Sequence, residues 1–201
     1  MFVALLAALW LGPVETAQVP ALALLEEEGL DFDLFGESDT ARRVEMDPRF
    51  AQQVAARRTM LQVHQVFGLS SLAAMATSTV LGQLNYGDLH GAGGARSGDY
   101  LLAHRIAAYS TAGLFLGTAA FALFAPVPYE RRSGFDAGTA HRIAVIGASA
   151  GLLTQVALGF VAARSADAGN ARNYTTYARV HQAVGYATLG MMAVAASVWV
   201  F

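Results

Sequence analysis

Charge is missing from four long stretches of this chain. No Asp, Glu, Lys or Arg occurs from Thr59 to Gly87, from Ile106 to Tyr129, from Ile143 to Ala163, or from Val180 to Phe201. Each stretch exceeds the ~20 apolar residues that a membrane-crossing helix needs. Buried helices of a water-soluble domain would each show a polar outer face, and these stretches have none. Only 14% of the residues are charged and 55% are hydrophobic, whereas soluble domains carry roughly 25% charge. The expected fold is therefore all-α: a transmembrane four-helix bundle, up-down-up-down because short loops make successive helices alternate in direction. Such a protein is multi-pass and contacts membrane lipid. A net charge of −2 gives no basis for nucleic-acid binding.

The chain divides into three parts. Residues 1–25 open with the apolar run MFVALLAALWL, which is too short to span alone. With Ala21-Leu22-Ala23 behind it, the run reads as a signal peptide or as a retained apolar anchor reaching Leu25. Residues 26–58 form a polar extra-membrane arm, acidic at first and arginine-rich later. Residues 59–201 hold the four helices. Asp47-Pro48 reads as a cap followed by proline at the first helical position. The expected membrane helices run over Met60–Leu84, Tyr100–Phe124, Gly138–Ala163 and Thr175–Phe201, with Asp136 or Thr139 capping the third. Arginines near the helix ends number six on one side and five on the other, a near balance under which the positive-inside rule favours neither face. Cysteine is absent, which excludes disulfides, cysteine-ligated iron–sulfur clusters and covalent c-type heme attachment.

Four of the five histidines, His64, His104, His141 and His181, stand in the opening turns of the four helices. An ionisable group inside a membrane segment is costly and usually functional. With alternating helix directions, His64 and His141 fall at one membrane level, and His104 and His181 at the other. Two pairs at two levels suit two hemes of the b type, each held by two imidazoles. Such ligation leaves no open iron position, so electron transfer is the natural role. Positions four and seven beyond each histidine share its helix face. These are Gly68, Ser71, Ala108, Thr111, Val145, Ala148, Gly185 and Thr188, all small except Val145. Small residues leave room for a flat macrocycle, and they also suit ordinary membrane helix packing. Arg105 and Arg142 each follow a histidine. They read as partners of heme propionates or as interfacial side chains reaching for water. The fifth histidine, His90, reads as a solvated residue of a glycine-rich loop.

Short strings recur in a crossed order. Val63-His64-Gln65-x-x-Gly68 is echoed by Val180-His181-Gln182-x-x-Gly185, and Ala103-His104-Arg105-Ile106-Ala107 by Ala140-His141-Arg142-Ile143-Ala144. That order suggests a two-fold axis in the membrane plane. These features resemble the cytochrome b561 superfamily, in particular the four-helix core found after DOMON modules and in bacterial membrane cytochromes. The resemblance rests on His64 with Gly68, on Leu102 to Arg105, on His141-Arg142, and on His181-x-x-x-Gly185-Tyr186. It covers Met60 to Phe201. It implies heme pairing of His64 with His141 and of His104 with His181, electron transport, and a bacterial inner membrane. The family's lysine-based ascorbate site has no counterpart in a chain without lysine, so the expected partners are a quinol, or a soluble or multiheme cytochrome. Two alternatives stand beside this reading. One is a quinone-reactive heme anchor of a dehydrogenase, with Gln65, Gln155 and Gln182 as pocket residues. The other is a copper or zinc transport protein using the same imidazoles.

Overall fold

The computed structural model describes residues 47–128 and 134–200, apart from the side chains of residues 199 and 200. The expected signal or anchor segment, and all of the polar arm before Asp47, lie outside the described residues.

The described residues are all-helical. Four helices follow one another: α1 Pro48–His90, α2 Tyr100–Leu123, α3 Ala137–Asp167 and α4 Ala171–Val200. The caps match the sequence. The Asp47 carboxylate accepts from the Arg49 backbone N–H at 2.9 Å, with Pro48 at the first helical position. The Asp136 carboxylate accepts from Thr139 N–H at 2.7 Å. That bond, with the Thr139 side chain and Arg142 behind it, holds the Asp136 carboxyl below its usual range.

Two boundaries differ from expectation. α1 continues beyond Leu84 to His90 and stops at Gly91, whose N–H bonds to the Gly87 carbonyl. The polar segment Arg164 to Asn173 shrinks to a short turn, residues 168–170, in which Gly169 takes a φ of +66°. Charged and polar residues end the apolar span but do not by themselves stop a helix: α1 ends where Gly91 turns to extended backbone, and α3 ends just before Gly169 in left-handed backbone.

Three helices, α1, α2 and α3, are long and apolar enough to cross a membrane. Within the described residues α4 does not reach that level. Its first turns carry Arg172, Asn173, Arg179, His181 and Gln182, and its apolar run continues into residues 199–201, whose side chains lie outside the description.

α1 packs antiparallel on α2, and α3 antiparallel on α4; α1 also meets α4. Between the paired helices the interior is small and partly polar. Ser71 is 0% exposed, and Thr111, Ala148 and Thr188 are each 1% exposed. All four are the positions seven residues beyond a histidine. The three hydroxyls among them are satisfied by backbone carbonyls: Ser71 donates across to the Thr111 carbonyl on α2 at 3.3 Å, and within their own helices Thr111 donates to Ala107 and Thr188 to Val184. The outer surface is the reverse. Leu116 is 70% exposed and Leu153 is 74% exposed. A water-soluble chain buries such residues, whereas an apolar exterior over helices whose backbone bonds are internally satisfied suits lipid. Replacing Leu153 by arginine is therefore expected to cost ~2.5–3.5 kcal/mol of membrane insertion. Glycosylation mapping of α3 insertion would read this as a reduced inserted fraction, and unchanged insertion would contradict the lipid-facing assignment.

The two hairpins repeat each other directly. His141 follows His64 by 77 positions (141 − 64), and His181 follows His104 by the same 77 (181 − 104). Gly159 stands at the same offset from Gly82, and Ala195 from Thr118. The side-chain geometry follows this tandem relation, α1 to α3 and α2 to α4, rather than the crossed order of the short strings.

Candidate functional site

Three of the four paired histidines are aimed by the helix opposite. His64 Nδ1 lies 2.8 Å from the Thr118 carbonyl on α2, and His104 Nδ1 lies 2.9 Å from the Ser78 carbonyl on α1. His141 Nδ1 lies 2.9 Å from the Ala195 carbonyl on α4. A carbonyl only accepts, so Nδ1 carries the proton and Nε2 is the unprotonated nitrogen. This is the outer-shell arrangement that metal-ligating imidazoles adopt. Glycine makes it sterically feasible: a Cβ on Gly82 would stand 3.0 Å from His104 Cε1, so a side chain there would press on the ring.

The structure brings the four histidines together in two pairs. The His64 and His141 ring centroids are 6.1 Å apart at an interplanar angle of 70°. The His104 and His181 centroids are 6.1 Å apart at 83°. Bonds of about 2 Å from one metal to two imidazole nitrogens, plus a ring radius on each side, give about 6 Å between centroids. A plain edge-to-face ring contact has a similar spacing, but it does not require Nδ1 to be tied back to a backbone carbonyl, as it is in both members of the first pair and in His104 of the second. Along α1, from His64 to Ser78 at the level of His104, a rise of about 1.5 Å per residue separates the two pairs by about 21 Å.

The donor set limits what could be held. Among the described residues no three His, Cys, Asp or Glu side chains gather at one point. Each pair thus offers two protein ligands. A structural zinc takes four. A heme brings four equatorial nitrogens of its own and needs only the axial two, so the residues present fit that group.

The other predicted residues are placed as follows. Gly68 faces the Thr118 methyl, and Gly185 faces the Gln155 amide, each at ordinary contact distance for an added Cβ. Arg142 is exposed and folds back onto its own helix start, donating to the Gly138 carbonyl and the Thr139 hydroxyl. Arg105 is exposed, near enough to Tyr174 to act on its ionisation. Gln155 donates to the His181 carbonyl. Gln182 donates to the Gln83 side chain, which also accepts from the Tyr186 hydroxyl at 2.6 Å. Gln65, with Arg57 and Arg58, lines an open groove along α1.

His90 departs from expectation. It is the last residue of α1, partly buried between the rings of Tyr86 and Tyr174, 4.8 and 5.1 Å away. Desolvation lowers its pKa below 6.5, helped by the Arg179 and Arg96 charges. A histidine with a depressed folded pKa contributes fully above its unfolded value and loses that contribution as pH falls. The loss in thermal stability between neutral pH and pH 5 is therefore expected to be smaller in His90→Gln than in the wild type. An equal loss would show that the tyrosine cage does not resist protonation.

The sequence reading missed the residues that orient the rings: Thr118, Ser78 and Ala195, acting through backbone carbonyls, and Gly82 and Gly159. A carbonyl has no residue signature. The glycines do: each follows a histidine of the same helix at one fixed spacing, Gly82 after His64 and Gly159 after His141. Comparison with protein families, with curated proteins and with solved structures finds no match to this chain.

Proposed function

We propose that this chain is a diheme b-type cytochrome that carries electrons across a membrane. In this reading its four helices cross as an up-down-up-down bundle. His64 and His141 hold one heme b, and His104 and His181 hold the other. The observation that carries the reading is the paired geometry: two imidazole pairs at two levels, with three of four Nδ1 atoms turned to backbone carbonyls. The resemblance of the histidine motifs to the cytochrome b561 superfamily supports it.

A heme between two imidazoles supplies one-electron exchange at an iron with no open position. The protein's part is orientation and exclusion. The carbonyls fix the tautomer and direction of the rings, and the tightly packed layer of Ser71, Thr111, Ala148 and Thr188 closes the space between the levels to water. A separation of about 21 Å would suit one pair in each half of an apolar layer about 30 Å thick. Arg105 and Arg142, exposed beside ligands, are the candidates for propionate contact. The donor is a quinol or another reductant at one face, and the acceptor is a soluble or multiheme cytochrome at the opposite face. The protein serves as a subunit of a larger redox system in a bacterial inner membrane.

Proteoliposomes loaded with ferricyanide test the conduction. Quinol added outside is expected to bleach the enclosed ferricyanide when the heme-loaded chain is present, and bleaching no faster than in empty liposomes would contradict the proposal. A second reading, a quinone-reactive heme anchor of a dehydrogenase, is favoured by one feature. Gln83 and Tyr186 line a cleft of about 170 Å³ between α1 and α4, beside Gln182 and next to the His181 turn. Co-purification of an iron–sulfur subunit would select it.

A further inference from the structure

The tandem correspondence of ring-to-carbonyl bonds fails beside one proposed ligand. In the first hairpin the Ser78 carbonyl accepts from His104 Nδ1 at 2.9 Å. The equivalent position in the second hairpin, 77 residues later, is Gln155. There His181 Nδ1 is buried and has no hydrogen-bond partner among the described residues. The ring also stands farther from its neighbour helix. A Cβ on Gly82 would be 3.0 and 3.1 Å from Cε1 and Nδ1 of His104; one on Gly159 would be 3.6 and 3.9 Å from the same atoms of His181.

The two hairpins also differ here in side-chain size. The Gln155 amide lies over Gly185, 3.6 Å from where its Cβ would be, and donates to the His181 backbone carbonyl. The corresponding pair in the first hairpin is Ser78 with Ala108. A long amide over a bare glycine thus stands where the first hairpin has a short serine, whose hydroxyl lies 3.5 Å from His104 Nδ1.

We infer that Gln155 is a positioning residue that makes the two metal centres unequal, giving the His104/His181 centre the higher reduction potential. The inference rests on the heme reading above. An imidazole that donates Nδ1–H to a carbonyl is a more basic ligand and favours the oxidised metal; outer-shell hydrogen bonding is one of the levers on heme potential. His64 and His141 both donate in this way. At the other level only His104 does.

The test is a spectroelectrochemical titration of the full heme-loaded chain, with low-spin EPR signals followed for each heme. In the wild type the heme retained after His64→Ala is expected to be the one of higher potential; the reverse order would overturn the inference. In the double variant Gln155→Ser, Gly185→Ala, the potential of that same heme is expected to fall. A change of about tenfold in its reduction equilibrium would read as about 59 mV for one electron. The other heme and its EPR signal should stay put. The mirror variant Ser78→Gln, Ala108→Gly should raise the same potential, and it carries the test if the first variant does not accumulate. Two hemes that respond to neither variant, or a response confined to the His64/His141 heme, would overturn the inference. A preparation without heme would instead sink the proposed function.

Discussion

Replacing His141 with alanine is expected to remove one heme and leave the other, so that the purified variant carries about one b heme per chain. The reason is that His64 alone cannot hold the group on both faces. His141 approaches it from α3, with ring centroids 6.1 Å apart, and nothing else of ligating chemistry gathers there among the described residues. The His104/His181 pair lies about 21 Å away, so effects at the two levels should be independent. Added imidazole should partly restore the lost heme in His141→Ala, because it can fill the vacated axial position. His90→Ala, at the end of α1 and in neither pair, should retain both hemes. Heme absorbance per protein, with EPR to identify which low-spin signal disappears, checks all three variants.

The second large effect concerns packing. Gly151→Val on α3 is expected to destabilise the protein by roughly 1–3 kcal/mol, the usual range for forcing carbon atoms into a filled interior. A Cβ at Gly151 would overlap the side chain of Thr188 on α4. Thr188 cannot give way: it is fully buried and its hydroxyl is committed to the Val184 carbonyl at 2.7 Å. Gly113 and Gly190 make the contrast, since no heavy atom lies within 4 Å of an added Cβ at either. Alanine there should be neutral, or stabilising by up to about 1 kcal/mol through helix propensity. Thermal unfolding in detergent, followed by circular dichroism, separates the two classes. Equal behaviour of Gly151→Val and Gly113→Ala would mean that α3 and α4 do not pack closely at Thr188.

The contrast between Gly151 and Gly113 shows what the sequence could and could not convey. Both are glycines of apolar helices, and nothing in the residue string distinguishes them; only the helix opposite does. Features that act within one helix were readable. The charge-free stretches located the helices, Asp47-Pro48 and Asp136 marked two starts, and helical spacing picked Ser71, Thr111, Ala148 and Thr188 as inward-facing. Features that depend on a partner helix were not. The carbonyls of Thr118, Ser78 and Ala195 aim three of the histidines, yet any residue has a carbonyl. Helix ends were misplaced where charge was taken as a stop: α1 runs through Asp88 to His90, and α3 through Arg164 to Asp167. Charge marks where lipid ends, and Gly91 and Gly169 mark where the helices end. The pairing of His64 with His141 and of His104 with His181 was legible because it needs only the alternation of helix direction.

The central claim is that two imidazole pairs hold two hemes of the b type. A pyridine hemochrome assay on the purified full-length chain, expressed with ample heme supply and quantified by amino-acid analysis, tests it most directly. The account predicts a b-type spectrum at two hemes per chain. A chain without heme, or one that carries copper or zinc and no iron, would contradict it.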